Sequence, residues 1–209
     1  MPKTETPAER RRSERAGETR SDIVRAAGRL MLHRGYVATS INSIATEAGV
    51  AVQTIYNSVG SKAELLSAVL ELAAEGPGTQ ELVPAALRKR VLAASSAVEI
   101  LRVVADWFLA VNERTVNVVL MISQAAAVDG DVAAVERRST ASRLHTCGEV
   151  ATSLRAVRGL RGGMSDPEAA AAIWAVGHPQ VYRMLVSELG WSSEAYRDWL
   201  EKALRGALS

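Results

Sequence analysis

The chain has 209 residues, 48% of them hydrophobic, enough to bury one sizeable core or a small core beside a larger one. Its only cysteine, Cys147, excludes an intramolecular disulfide, and a net charge of +2 does not mark the chain as a whole as a polyanion binder. That charge is unevenly divided: residues 1–62 carry a net +4 and the remainder a net −2. The most apolar run, Val116 to Val128, is interrupted by Asn117, Ser123 and Gln124 and is too short to span a bilayer. Residues 1–18 lack the apolar centre of a signal peptide, so a cytoplasmic protein without membrane attachment is expected.

Residues 1–18 (MPKTETPAERRRSERAGE) combine Pro, Glu and Arg with too little apolar surface to offset the entropy of ordering, and are expected to form a disordered basic arm. From Thr19 the pattern changes. Ile23, Ala26, Ala27, Leu30 and Met31 recur at helical spacing, Thr19 and Asp22 stand at capping-box spacing, and Gly35 follows the last turn, which predicts a helix over roughly 19–34. Ser40 is a good N-cap for a short helix with the apolar stripe Ile41, Ile44, Ala45 and Ala48, ended by Gly49. A second short helix follows, with Ile55 and Val59 facing inward, and ends at Gly60. Ser61 and Glu64 then start a longer helix through Leu65, Leu66, Val69 and Leu70.

Helices this short are marginal alone, and what they supply is geometry. A short helix after a tight turn can place its N-terminal half in a DNA major groove while the preceding helix lies across the backbone. On the second short helix Val52, Gln53, Thr54, Tyr56 and Asn57 are not all needed by a core. They offer amides, hydroxyls and an apolar methyl contact, the groups that meet base edges and phosphates.

The stretches "HRGY", "TSINSIATEAGV" and "TIYNSVGSKAELL" together resemble the DNA-binding domain of TetR-type transcriptional regulators, closely over about residues 19–66. The chain departs from the pattern at Asn57 and Ser58, where members often carry aromatic or histidine residues, and at Val59, where Phe is common. The resemblance implies that Thr54 and Tyr56 contact phosphates and that Lys62 contacts another. Val52, Gln53 and Asn57 are then the candidates for base edges, with Ser40 and Asn42 near the backbone or groove. Arg10, Arg11, Arg12 and Arg15 are candidates to follow the phosphates or enter a minor groove.

Beyond residue 67 helical spacing continues near 84–95, 98–112, 115–128, 131–158, 167–189 and 193–207, punctuated by Gly76-Pro77-Gly78, Gly130, Gly159, Gly162-Gly163 and Gly190. Asp166-Pro167-Glu168 reads as a cap followed by a first-turn proline. No strand signal appears. His178-Pro179 inside the run 167–189 predicts a kink, since proline removes a donor and clashes with the carbonyl of Ala175. Ala169 to Ala172, Ala175 and Gly177 form a small-residue face suited to a close helix approach, within the chain or across a dimer.

Catalysis finds little support. His33, His145 and His178 are scattered, and His145 and Cys147 lie on different helix faces. A phosphate-binding glycine loop and a nucleophile elbow are missing too, so no cofactor, metal or catalytic residue is expected. The inner positions of the larger part mix Trp107, Phe108, Met121, Trp174 and Met184 with Asn117, Gln124, His145, His178 and Tyr182, a composition that suits a mostly apolar ligand pocket.

The expectation is an all-α protein: a basic arm (1–18), a three-helix helix-turn-helix domain (19–66) and a larger helical domain for ligand binding and dimerisation (67–209). Its partners would be double-stranded DNA at a palindromic operator, a small apolar or amphipathic effector and a second copy of the chain, with the ligand releasing a repressor. A ligand-independent architectural DNA binder and a helical enzyme are the alternatives.

Overall fold

The computed structural model describes residues 6–75 and 83–209, and every regular element among them is helical. The expected break at 76–78 and the first five residues of the expected arm lie outside the described residues. The chain divides into two compact units. One comprises Met1–Leu72 with Met121–Val135, and the other Ala73–Leu120 with Glu136–Ser209. Residues 121–135, which the sequence assigned to the larger domain, thus group with the N-terminal helices.

In the first unit α1 (Pro7–Arg34), α2 (Ile41–Ala48) and α3 (Val52–Ser58) pack on one another, and α4 (Lys62–Ala74) follows. The expected stripe of α1 is the buried one: Ile23, Ala26, Ala27 and Met31 are fully enclosed and Leu30 nearly so. At Gly28 a Cβ would make ordinary van der Waals contact with Val69 of α4.

The start of α1 corrects the expectation of a disordered arm. Residues 7–18 continue the helix, and Thr19 is not a cap, because its hydroxyl donates to the carbonyl of Arg15. A helix nucleated by the packed stripe at 23–31 extends at little cost through good helix formers such as Glu and Arg, here with an Arg10–Glu14 pair one turn apart. Apolar content alone is the wrong criterion for such an extension.

The second unit holds α5 (Val83–Ala93), the larger parts of α6 (Ala97–Ala126) and α7 (Gly130–Ala156), then α8 (Asp166–Val176), α9 (Pro179–Tyr182) and α10 (Ser193–Leu208). Segments 98–112 and 115–128 form one helix, because Asn112 to Thr115 contain no breaker and Thr115 bonds back to Val111 O. α8 is capped by Ser165 in a box with Glu168, not by Asp166, which lies in the first turn and pairs with Arg155. α10 buries Tyr196, Leu200, Leu204 and Leu208 at four-residue spacing and packs against α8.

Where a kink was expected at His178-Pro179, the helix is fully interrupted. Gly177 ends α8, His178 caps α9 through Nδ1, which accepts from the Gln180 amide at 3.1 Å, and Pro179 occupies the first turn, where no donor is missed. The Gly177 carbonyl freed by the break is met by the buried Asn112 side chain at 3.1 Å, which also donates to Tyr196 Oη at 3.0 Å. Arg183–Glu188 then forms a π-helical segment, closed by Leu189 N–H donating to Met184 O at 3.0 Å.

Candidate functional site

The short helix-turn-helix expected at 40–60 is present. Ser40 caps α2 by accepting from the Ser43 amide at 3.1 Å, and Ser43 Oγ accepts in return from the Ser40 amide. Gly49 takes the left-handed conformation, φ +67°, that turns the chain between the helices. Val50 donates its amide to Ala45 O at 3.0 Å, and Ile55 is fully buried beneath α3. Gly60 has φ +110°, and Ser61 with Glu64 forms the expected reciprocal cap of α4.

This scaffold turns most of the candidate residues outward. Ser40, Asn42, Gln53, Tyr56 and Asn57 are exposed, while Val52, Thr54 and Lys62 are half-buried. Gln53 Nε2 donates to Asn57 Oδ1 at 3.0 Å, so the two amides expected to read base edges hold one another on one face of α3. The Ser40 hydroxyl is already engaged as a cap and the Asn42 side chain is free in this respect. Arg10, Arg11, Arg12 and Arg15 stand exposed on the N-terminal turns of α1, spaced by a helix and not strung along a flexible arm.

Lys62 sits in a node that the sequence did not reveal. Its Nζ lies 4.1 Å from the centre of the Tyr36 ring and 3.5 Å from Val37 O. Tyr36 is buried, and its hydroxyl donates at 2.8 Å to Asp129, which precedes α7 and accepts the Asp131 and Val132 amides. The Tyr36 hydroxyl, with the α7 amides behind it, holds the Asp129 carboxyl below its usual range. Burial pushes the Tyr36 hydroxyl upward, as does the bond to Asp129, and desolvation lowers the Lys62 ammonium.

The ligand candidates do not form one pocket. Asn117, Gln124 and His145 are exposed, and Met121 and Gln124 belong to the first unit, so helical phase pointed them to the wrong surroundings. Met184 is also largely exposed. Trp107, Phe108, Trp174 and Tyr182 do share the core of the larger unit, and His178 meets the Trp174 ring edge-on at 5.0 Å. Arg143 and Cys147 join them from α7. Their sequence signal was the phase they share with Val150, Ala151 and Leu154, which places an arginine within a buried stripe. The small-residue face divides: Ala169, Ala170 and Gly177 pack inside the chain and Ala171 and Ala175 face solvent.

Among the described residues, no helix is long and apolar enough to cross a membrane, and no His, Cys, Asp and Glu cluster could hold a metal. No curated protein matches the chain by sequence. In structure the whole chain is similar to a protein described as a TetR-family regulator from Rhodococcus sp. (20% identity, covering 92% of this chain and 100% of that one, TM-score 0.71). It is also similar to NalD, the secondary repressor of the MexAB-OprM multidrug efflux pump in Pseudomonas aeruginosa (20%, 93% and 98%, 0.69). A third similar structure is FadR from Bacillus subtilis in complex with stearoyl-CoA (16%, 90% and 99%, 0.70). Residues 23–69 match the model for bacterial regulatory proteins of the tetR family. Residues 23–69 thus match the N-terminal domain of the tetR family, and the chain as a whole has the all-helical fold of these solved structures.

Proposed function

We infer that the chain is a homodimeric repressor that binds a near-palindromic operator and is released from it by a small ligand held in the larger unit. The observation that carries the reading is the face of α3: Gln53, Tyr56 and Asn57 point to solvent around a fully buried Ile55, an outward polar surface on a helix too short to serve packing alone. Thr54, Tyr56 and Lys62 meet phosphates, Val52, Gln53 and Asn57 meet base edges, and Ser40, Asn42 and the arginines of α1 follow the backbone. One such helix reads few base pairs, so two symmetric copies supply the specificity. A second unit far larger than a dimer contact needs, with aromatic side chains in its core, supports the ligand role, as do the neighbours named as an efflux-pump repressor and as a fatty-acyl-CoA complex.

The ligand acts by preferring a conformation in which the two α3 helices no longer match successive major grooves. A preference of about 1–3 kcal/mol changes operator affinity roughly 5–150-fold. Selection of bound duplexes from a random library, followed by titration of the complex with hydrophobic metabolites and drugs, tests both halves. A two-fold symmetric consensus and release by at least one compound are expected. Uniform binding of all duplexes, unmoved by any compound that binds, would leave the architectural reading as the better one.

A further inference from the structure

Among the described residues, three buried side-chain atoms lack a hydrogen-bond partner: Trp107 Nε1, Arg143 Nε and Trp174 Nε1. Buried polar atoms are nearly always paired, so each such atom calls for an explanation. All three are donors, and all lie in the larger unit.

Arg143 and Trp174 gather at the α8–α9 break beside α7, and Trp107 on α6 adjoins that seam through Phe108. Trp174 meets the edge of His178 at 5.0 Å, and Arg143 is near enough for its charge to act on that imidazole. Trp107 lies against Phe108, ring centres 4.9 Å apart, and Phe108 in turn fills the space beside Gly177, the residue before His178. His178 adds a fourth donor. Its Nδ1 accepts from the Gln180 amide, so the neutral ring carries its proton on Nε2, and burial together with Arg143 holds the ring in that neutral form.

The seam also holds a charge with little local compensation. Burial disfavours the Arg143 guanidinium, and Glu136, two turns earlier on α7, supports it only through space. Cys147, one turn later, is no counter-ion, because burial pushes its thiol up to about 12. A buried cation and unpaired N–H groups together call for an occupant that brings acceptors and one negative charge. A single cation suits a carboxylate better than a phosphate, and the flanking indole and phenyl rings suit an apolar or aromatic body.

We propose that this seam binds a small carboxylate on an apolar or aromatic body, with Arg143 as counter-ion and the N–H groups of Trp107, Trp174 and His178 as further donors. The proposal rests on the ligand-responsive reading above and names the class of its effector.

The test is calorimetric titration of the full chain with benzoate, 2-naphthoate and decanoate, each beside its uncharged amide. At least one carboxylate is expected to bind about tenfold more tightly than its amide, a preference that Arg143→Met abolishes. The apolar replacement relieves a buried charge, so the variant is expected to fold, which a thermal melt confirms. Trp174→Phe, which keeps an aromatic side chain and removes one donor, provides a second variant with a smaller loss. Equal binding of acid and amide, a preference that survives Arg143→Met, or no binding of any carboxylate at millimolar concentration would overturn the proposal. Operator affinity measured in parallel separates the two readings. A carboxylate that binds through Arg143 without releasing DNA sinks only the ligand-responsive repressor, and release by a compound indifferent to Arg143 sinks only the carboxylate site.

Discussion

The two faces of α3 have opposite duties, and substitution should separate them. Ile55 is fully buried, so Ile55→Ala should cost about 2–5 kcal/mol of stability, whereas Gln53→Ala or Asn57→Ala should leave stability nearly unchanged and alter sequence preference by about 1–3 kcal/mol. Lys62→Ala should instead weaken all operators alike and lower the salt slope by about one unit. Binding assays on specific and random duplexes across a salt series distinguish these outcomes, and an equal effect of Gln53→Ala on both duplexes would remove it from base reading. At Gly177 the restriction is space, since a Cβ would fall 2.2 Å from the Phe108 ring. Gly177→Ala should therefore destabilise by about 1–3 kcal/mol, and the smaller side chain in Phe108→Leu should recover part of that loss in a double-mutant cycle by urea denaturation.

At the scale of elements, the corner between α6 and α7 is tied to the end of α1 by the bond from Tyr36 to Asp129. Asp129 is a carboxyl whose folded pKa lies below its ordinary value, so its contribution is present above the unfolded pKa, about 3.9, and is lost as pH falls through the lower folded value. Asp129→Ala should thus be less stable than the parent at neutral pH, and the gap should close in acid. A gap that stays constant from pH 7 downward would assign the loss to packing. Little of this corner was legible in the sequence, because a bond between residues 36 and 129 leaves no local periodicity. The turn around Gly49 and the caps at Ser40 and Ser61 were legible, since each depends on residues within one turn of the chain. The break at His178 was legible as a disturbance but not in form, because its outcome depended on Asn112 being available to take the Gly177 carbonyl. Ligand candidates fared worst: periodicity identifies faces, whereas the surroundings of Asn117 and Gln124 depend on which helices lie beside them.

At the scale of the whole molecule, the proposed dimer is expected to use the solvent-facing half of the small-residue face. Ala175 and Ala171 are free of the internal core, so Ala175→Trp should leave the fold intact and weaken self-association if α8 lies in the seam. Sedimentation at micromolar concentration reads this directly, and a monomeric parent chain would contradict a symmetric operator complex. The π-helical segment Arg183–Glu188 bears on a different question, that of descent. A π turn closes with one residue more than the α turn it replaces, so the segment reads as a single inserted residue that the fold has absorbed. Alignment with a relative whose helix is regular there requires its gap within 183–188. A gap deferred into α10 would move Tyr196, Leu200, Leu204 and Leu208 out of phase and equate buried positions in one chain with surface positions in the other.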